Sequence, residues 1–318
     1  MSTESEPIKN RKMQKNSFYS HGKLLMTGEY LVLNGAYALA LPLQVGQNLL
    51  VNTGDKPGCL CWETKIRSKP WLNAVFDIKE FDILESNIAA PAGFVADVLK
   101  AARTLNRAFL ADDKPYTATA NLEFDTNYGF GSSSSFISNI ARWAQVDVFE
   151  LHRMVSNGSG YDEAAARSEK AIIFQRAGTE VSVNPVNFRP PFFDRLFFGY
   201  LGKKLNTEKA VAEWRRQGEP DKRAIEKING ITLSIVGTRN INVFLDLLAE
   251  HEQIMSGLLR LEPVKSALFP DFRGEVKSLG AWGGDFALFA SREPGPYVLD
   301  YLQSKSIAPA YYYDEIIL

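Results

Sequence analysis

Residues 128–135, Tyr-Gly-Phe-Gly-Ser-Ser-Ser-Ser, constrain this chain more than any other stretch. They join a strand-like run, Thr117–Phe124, to a helix-like one, Phe136–Ala144. Gly129 and Gly131 allow positive φ and a close backbone approach to an anion, while serines at a helix start cap it and leave its first N–H groups facing outward. The local pattern is that of an anion cradle at a strand-to-helix junction. A Gly/Ser linker ahead of an ordinary helix looks the same, so the segment by itself leaves both readings open. It is not a Walker A loop, because no Gly-Lys-Ser/Thr follows, nor a Rossmann fingerprint, which would need glycine where Ser134 stands.

The rest of the chain sets limits on what could surround such a cradle. With 318 residues, 45% hydrophobic and 23% charged, it is long enough for two domains or one large one. Lys+Arg 36 against Asp+Glu 37 leaves a net charge of −1, so no global field favours nucleic acid or an anionic membrane, and anion specificity must be local. The first sixteen residues are polar and lack an apolar h-region, and no run approaches the ~18 apolar residues of a spanning helix. The expectation is a soluble cytoplasmic protein with a flexible tail at 1–17. Cys59 and Cys61, two apart in a strand-like run, read as reduced thiols, and His21, His152 and His251 have no metal-site spacing.

Periodicity predicts a β-rich opening over Phe18–Leu50, with breaks at Gly22, Gly28, Gly35 and Pro42. More strands follow up to Leu84, then a helix over Pro91–Phe109 with Val95, Val98, Leu99, Ala102 and Leu105 on one face. Shorter helices are expected at Asp147–Val155 and Tyr161–Arg167, and a strand at Ala171–Gln175. The Pro-rich stretch Asn184–Pro191 reads as the domain boundary. Beyond it lie a buried strand at Leu196–Leu201, helices at Thr207–Gln217, Asp221–Asn229 and Ile241–Leu261, a glycine-rich turn at Lys277–Asp285 and a strand at Phe286–Ala290. A terminal strand is expected at Tyr311–Tyr313. This mixture indicates an α+β fold rather than a doubly wound sheet.

Several side chains have two readings. Lys23, between Gly22 and an apolar run, is either a solvated strand lysine or a cation kept for an anion. Asp162, in Gly158-Ser-Gly-Tyr-Asp162, either favours a helix N-terminus or does chemistry there. Ser132 and Ser133 read as helix caps, one of which also offers a hydroxyl to Mg²⁺ or a phosphate. Glu150 is a surface glutamate or a metal carboxylate, and Lys203 and Lys204 are a solvated pair or a clamp for an acidic acceptor. Ser278 and Asp285 are loop candidates for ligand contact, and Trp282 is a lid or a packing residue.

Taken in order, Gly22-Lys-Leu-Leu-Met-Thr-Gly-Glu29, the Tyr128–Ser135 loop, Gly158–Asp162 and Lys277–Asp285 resemble the motifs of the GHMP small-molecule kinases, over Phe18 to about Ala290. Glu29-Tyr30, Asn127–Ser133 and Gly283-Gly-Asp285 resemble the phosphomevalonate kinase pattern most, with mevalonate kinases next. His21, Phe130, Trp282, Ser168 and Glu169 depart from that pattern, and Glu163 is a further oddity.

The resemblance implies a two-domain α/β sandwich, with a left-handed βαβ-type ATP-binding domain at 18–190 and a ferredoxin-like domain at 191–318. It implies ATP and Mg²⁺ as cofactors, a phosphomevalonate or mevalonate acceptor, a monomer or homodimer, and no nucleic-acid or membrane partner. Lys23 and Asp162 would be catalytic. Tyr128, Gly129, Phe130, Gly131, Ser132, Ser133 and Ser134 would hold the nucleotide, and Ser132 and Glu150 the metal. Glu29, Ser159, Gly160, Lys203, Ser278, Gly280, Gly283 and Asp285 would meet the acceptor. The competing reading is a protein that keeps the fold for binding alone.

Overall fold

The computed structural model describes residues 16–202, 207–216, 218, 220–280, 282 and 285–318. Two long apolar runs, β1 (Ser17–Thr27) and β2 (Ala38–Thr53), form an antiparallel hairpin closed by a 3-10 turn at Leu31–Asn34. Gly22 and Pro42 do not break these strands as the sequence suggested. Lys23 pairs with Pro42 just past a register shift after His21, and a ladder irregular at that point tolerates a residue with no N–H to give.

The first half continues through β3 (Cys59–Ile66), β4 (Lys69–Asp77), β5 (Ile83–Ser86), α1 (Ala89–Leu105) and β6 (Tyr116–Leu122). It then runs through α2 (Ser132–Ala144), α3 (Val148–Val155), α4 (Tyr161–Ala166), β7 (Ile172–Ala177) and β8 (Glu180–Pro185). The sheet order is β5-β4-β3-β6-β2-β7-β8, with β1 also on β2; β3 and β6 run parallel, joined through β4, β5 and α1. Val98, Leu99 and Ala102 of α1 and Ile137 and Ile140 of α2 cover Leu60, Trp62, Phe76 and Ala118 of the sheet.

After the proline-rich link come β9 (Leu196–Tyr200), α5 (Thr207–Arg216), α6 (Lys222–Gly237), α7 (Ile241–Leu259), α8 (Val264–Leu268) and β10 (Gly274–Leu279). The chain ends with β11 (Phe286–Ser291), α9 (Gly295–Ser304), β12 (Ala310–Tyr312) and α10 (Tyr313–Ile316). The four strands are antiparallel in the order β10-β11-β9-β12, the order of a ferredoxin-like β-α-β-β-α-β unit. The fold is thus α+β, as the sequence indicated. Helix α6 runs past the end expected at Asn229, because Ile228, Ile231, Thr232 and Ile235 bury a continuous stripe that outweighs the helix penalty of Gly230.

One apolar cluster crosses between the sheets. It takes in Leu24, Met26 and Leu41 from the hairpin, Phe198 and Leu288 from the second sheet, and Ile231 and Leu248 from α6 and α7. Loops at this seam are therefore held between two packed layers. Among the described residues no helix is long and apolar enough to cross a membrane.

Candidate active site

The glycine/serine segment turns from β6 into α2 as the sequence indicated, but its serines do not cap the helix. The N-cap is Gly131, with φ 86°, and it makes no side-chain cap bond. A glycine there costs little where other residues resist left-handed backbone. The buried Ser134 hydroxyl donates to the Gly131 carbonyl at 2.9 Å, and Ser135 is turned inward to Gln47 at 3.1 Å. Ser132 and Ser133 stand on the more open side. Among the described residues the start of α2 thus carries no side-chain cap, the arrangement that receives an anion. Buried polar ties fasten α2 to the hairpin beneath: Ser20 donates to Asn139 at 2.8 Å, and Asn139 to the Gln47 carbonyl at 2.9 Å.

The hairpin brings Lys23 against this loop. Its backbone N–H donates to the Phe130 carbonyl at 2.9 Å, and a side chain at Gly131 would put its Cβ 3.0 Å from Lys23 Cε. The Lys23 ammonium lies 2.7 Å from Asp162 Oδ1 and 3.4 Å from the Tyr161 hydroxyl, both in the first turn of α4. Burial by itself would push this ammonium down, but Asp162 and then Tyr161 outweigh it, so Lys23 is held above its ordinary value and charged. Burial and the neighbouring carboxylate push the Tyr161 phenol up. Two residues some 140 positions apart in the chain thus form one ion pair beside the open end of α2. Ser159 is buried and Gly160, with φ 93°, caps α4.

The described ends of the 277–285 segment, 277–280 with 282 and 285, reach the same region from the second sheet. A side chain at Gly129 would place its Cβ 2.1 Å from Asp285 Oδ2, so the absence of one is what lets this carboxylate pack over the loop. At the other end, Lys277 is fully buried and donates to Glu29 and, at 3.4 Å, to Glu252. His251 Nε2 lies 3.1 Å from the second Glu29 oxygen. Burial alone would raise the Glu29 carboxyl, yet Lys277 and His251 hold it below its ordinary value. Ser278 N–H and the Trp282 indole N–H both donate to Glu252 at 3.3 Å. Trp282 is 3% exposed and its backbone N–H donates to the Tyr30 hydroxyl at 3.3 Å, so it packs rather than acting as a lid.

Glu29 and Ser278 are therefore turned into this buried network, whereas a side chain at Gly280 would meet open space. Rings also bind the loop to the second sheet, with Tyr128 5.0 Å from Tyr200 and Phe130 4.7 Å from Phe286. Glu150 sits on the α3 surface, 3.7 Å from Arg153. Lys203, Lys204 and Gly283 lie outside the described residues. Among the described residues no group of three or more His, Cys, Asp or Glu is placed to hold a metal ion. A cavity of about 600 Å³, lined by Cys61, Asn73, Glu85 and Thr117 among others, includes no residue of this site.

Sequence reasoning missed Tyr161, His251 and Glu252. Tyr161 was in view beside Asp162, but nothing local marks His251 and Glu252 within the pattern of α7.

The chain shares its fold with solved structures of small-molecule kinases, which superpose over nearly its whole length. The Streptococcus pneumoniae phosphomevalonate kinase in complex with phosphomevalonate and AMPPNP matches with TM-score 0.69 at 15% identity, covering 93% of this chain and 99% of that one. The Methanococcus jannaschii mevalonate kinase matches with TM-score 0.65 at 12% identity, covering 95% and 98%. The Lactococcus lactis galactokinase complexed with galactose matches with TM-score 0.65 at 14% identity, covering 91% and 88%. No family model and no curated protein sequence matches this chain.

Proposed function

We propose that this protein is an ATP-dependent small-molecule kinase whose acceptor is anionic, phosphomevalonate first and mevalonate second. The observation that carries the reading is the Lys23–Asp162 pair at 2.7 Å beside the uncapped start of α2. In this reading residues 18–190 form the ATP-binding domain and 191–318 the second domain. The first N–H groups of α2 and the glycine-opened backbone at 129–131 cradle the nucleotide phosphates, and Lys23 offsets charge on the transferring group. Asp285, packed over Gly129, keeps the second sheet's turn closed on the loop.

An Mg²⁺ ion held largely by phosphate oxygens needs only one or two protein ligands. The Ser132 hydroxyl, on the open side of the loop with no acidic cage around it, fits that role; Glu150, engaged by Arg153 on the surface, is left out. When bound, the ion supplies charge neutralisation between phosphates.

The state of Asp162 bears on the acceptor. A hydroxyl acceptor must lose a proton as it attacks and calls for a carboxylate free to take it. A phosphomonoester, with a second pKa of ~6, is largely dianionic at neutral pH and needs no base. Asp162 is engaged by an ammonium that stays charged, which supports the phosphomonoester and gives the aspartate the task of orienting Lys23. Turnover of ATP/Mg²⁺ by the purified protein over phosphomevalonate, mevalonate and galactose tests this. The reading expects product from phosphomevalonate; tight nucleotide binding with no product from any acceptor would establish the binding-only alternative.

A further inference from the structure

The segment that delivers Asp162 has little conformational preference of its own. It runs Asn157-Gly-Ser-Gly160, with Gly160 in the left-handed region at φ 93°, and two glycines in four residues give the backbone wide freedom. Yet Asp162 must meet Lys23 within 2.7 Å. The Gly158 N–H donates to the Ser156 hydroxyl at 3.1 Å and the Tyr161 N–H to the Ser159 hydroxyl at 3.4 Å, and two arginines hold the turn's carbonyls from outside. Arg176, near the end of β7, directs Nη1 at the Gly158 and Ser159 carbonyls, 3.4 Å from each, and is itself fixed by an Nε–H bond to the Gly178 carbonyl at 2.9 Å. Arg215, in the last turn of α5, donates from Nη2 to the Asn157 carbonyl at 2.6 Å. Three consecutive carbonyls thus face two guanidinium groups.

The arginines reach the turn from different halves of the chain. Arg176 belongs to the first sheet. Arg215 comes from the helix that follows β9, and that helix is docked by its neighbour Trp214, which is 4% exposed and donates from its indole to Asn34 Oδ1 at 2.9 Å. The Trp214 ring also lies 5.8 Å from Tyr30. Helix α5 therefore bridges the Tyr30–Asn34 turn and the Asn157–Ser159 turn. Below, a side chain at Gly158 would place its Cβ 3.2 Å from His152 Cε1, so the turn lies directly on a buried ring.

We propose that Arg176 and Arg215 are positioning residues that clasp the Asn157–Ser159 carbonyls and so hold Asp162 on Lys23, making the second half of the chain a determinant of the catalytic geometry. The proposal rests on the kinase reading for its effect on turnover but not for its effect on order. A fixed, planar fork that aims several donors at once suits Arg176, which uses Nε on Gly178 and Nη1 on two carbonyls, while Arg215 reaches the Asn157 carbonyl through Nη2.

Arg215 is exposed, so its replacement spares the core. Arg215→Ala is expected to speed amide hydrogen exchange across residues 156–166 by about ten-fold or more, as local closing contacts are lost. With ATP and phosphomevalonate, kcat should fall about ten-fold while KM for ATP stays put, since small misplacements at a reacting centre carry such penalties. Arg215→Lys, which keeps one donor for the Asn157 carbonyl, should recover part of that loss. In an Asp162→Asn background, Arg215→Ala should change kcat no further. Unchanged exchange over 156–166 in Arg215→Ala overturns the clasp, and a fully additive loss in the Asp162→Asn background overturns its positioning role. If the wild-type protein transfers phosphate to no acceptor, the kinase reading falls instead, and the exchange experiment still decides the clasp.

Discussion

Replacing Asp162 by asparagine removes one charge and almost no volume, so it isolates what the aspartate does for Lys23. At 2.7 Å the attraction is about 6 kcal/mol for an effective dielectric of ~20, before the cost of withdrawing both ions from water. Breaking one side of a buried pair costs about 3–5 kcal/mol, because the remaining charge is stranded. The Asp162 side chain is 28% exposed, which places the expected loss at the lower end, about 3 kcal/mol. Without the carboxylate, burial is left to dominate at Lys23, which keeps the Tyr161 hydroxyl at 3.4 Å. Its ammonium should then titrate below the ordinary 10.5 instead of above it.

The sign of the pH effect follows from linkage. In the wild-type protein the Lys23 value is raised, so its contribution is complete below 10.5 and is lost as pH rises through the higher folded value. The stability gap between wild type and Asp162→Asn should therefore be full at neutral pH and narrow in alkali. Urea unfolding at neutral pH and at steps above the ordinary lysine value measures it. A gap under about 1 kcal/mol at neutral pH, or one that fails to narrow, refutes the assignment of Asp162 as the partner that keeps Lys23 charged. The same variant separates acceptors. Loss of a general base would lower turnover with mevalonate by about 10²–10⁴-fold, whereas a phosphomonoester acceptor should show a moderate loss and a changed Mg²⁺ dependence.

Three other perturbations probe the site. Glu29→Gln leaves the buried Lys277 with Glu252 at 3.4 Å and the Ser278 carbonyl at 2.9 Å and should destabilise the protein by about 2 kcal/mol at neutral pH; because Glu29 is held below 4.5, its contribution is present above that value and lost as pH falls, so acid unfolding curves should converge there. Gly129→Ala drives a methyl into the Asp285 carboxylate and forces a left-handed backbone, so the closing turn should separate from the loop, read as a loss of at least about ten-fold in nucleotide affinity by calorimetry. Trp282→Phe keeps the packing but removes the N–H to Glu252; it should lower stability by about 1 kcal/mol and leave acceptor KM nearly unchanged, and a large KM shift would restore Trp282 as an acceptor-facing residue.

Local pattern was enough for the α+β class and for the glycine/serine junction itself, because both depend on backbone preferences that neighbouring residues express: positive φ at Gly129 and Gly131, the continuous apolar run of β11, the helical period of α1. It also singled out Lys23 and Asp162 as chemically interesting types in unusual surroundings. It could not show that they meet, since 139 positions separate them and only the packing of α4 on the hairpin brings them to 2.7 Å. The serines illustrate the opposite failure. Ser132 and Ser133 read as caps, but α2 already begins at Ser132, so the cap position falls to Gly131, and tertiary contacts turn Ser134 and Ser135 inward. The buried Glu29–Lys277–His251 network and the arginine clasp on the Asn157–Ser159 turn were likewise invisible, because a charged residue in a sequence carries no mark of whether folding will leave it in water. The sequence by itself determined which backbones could bend and which side chains could carry charge; burial, which removes water and makes each of those charges depend on a partner, was decided only by the tertiary structure.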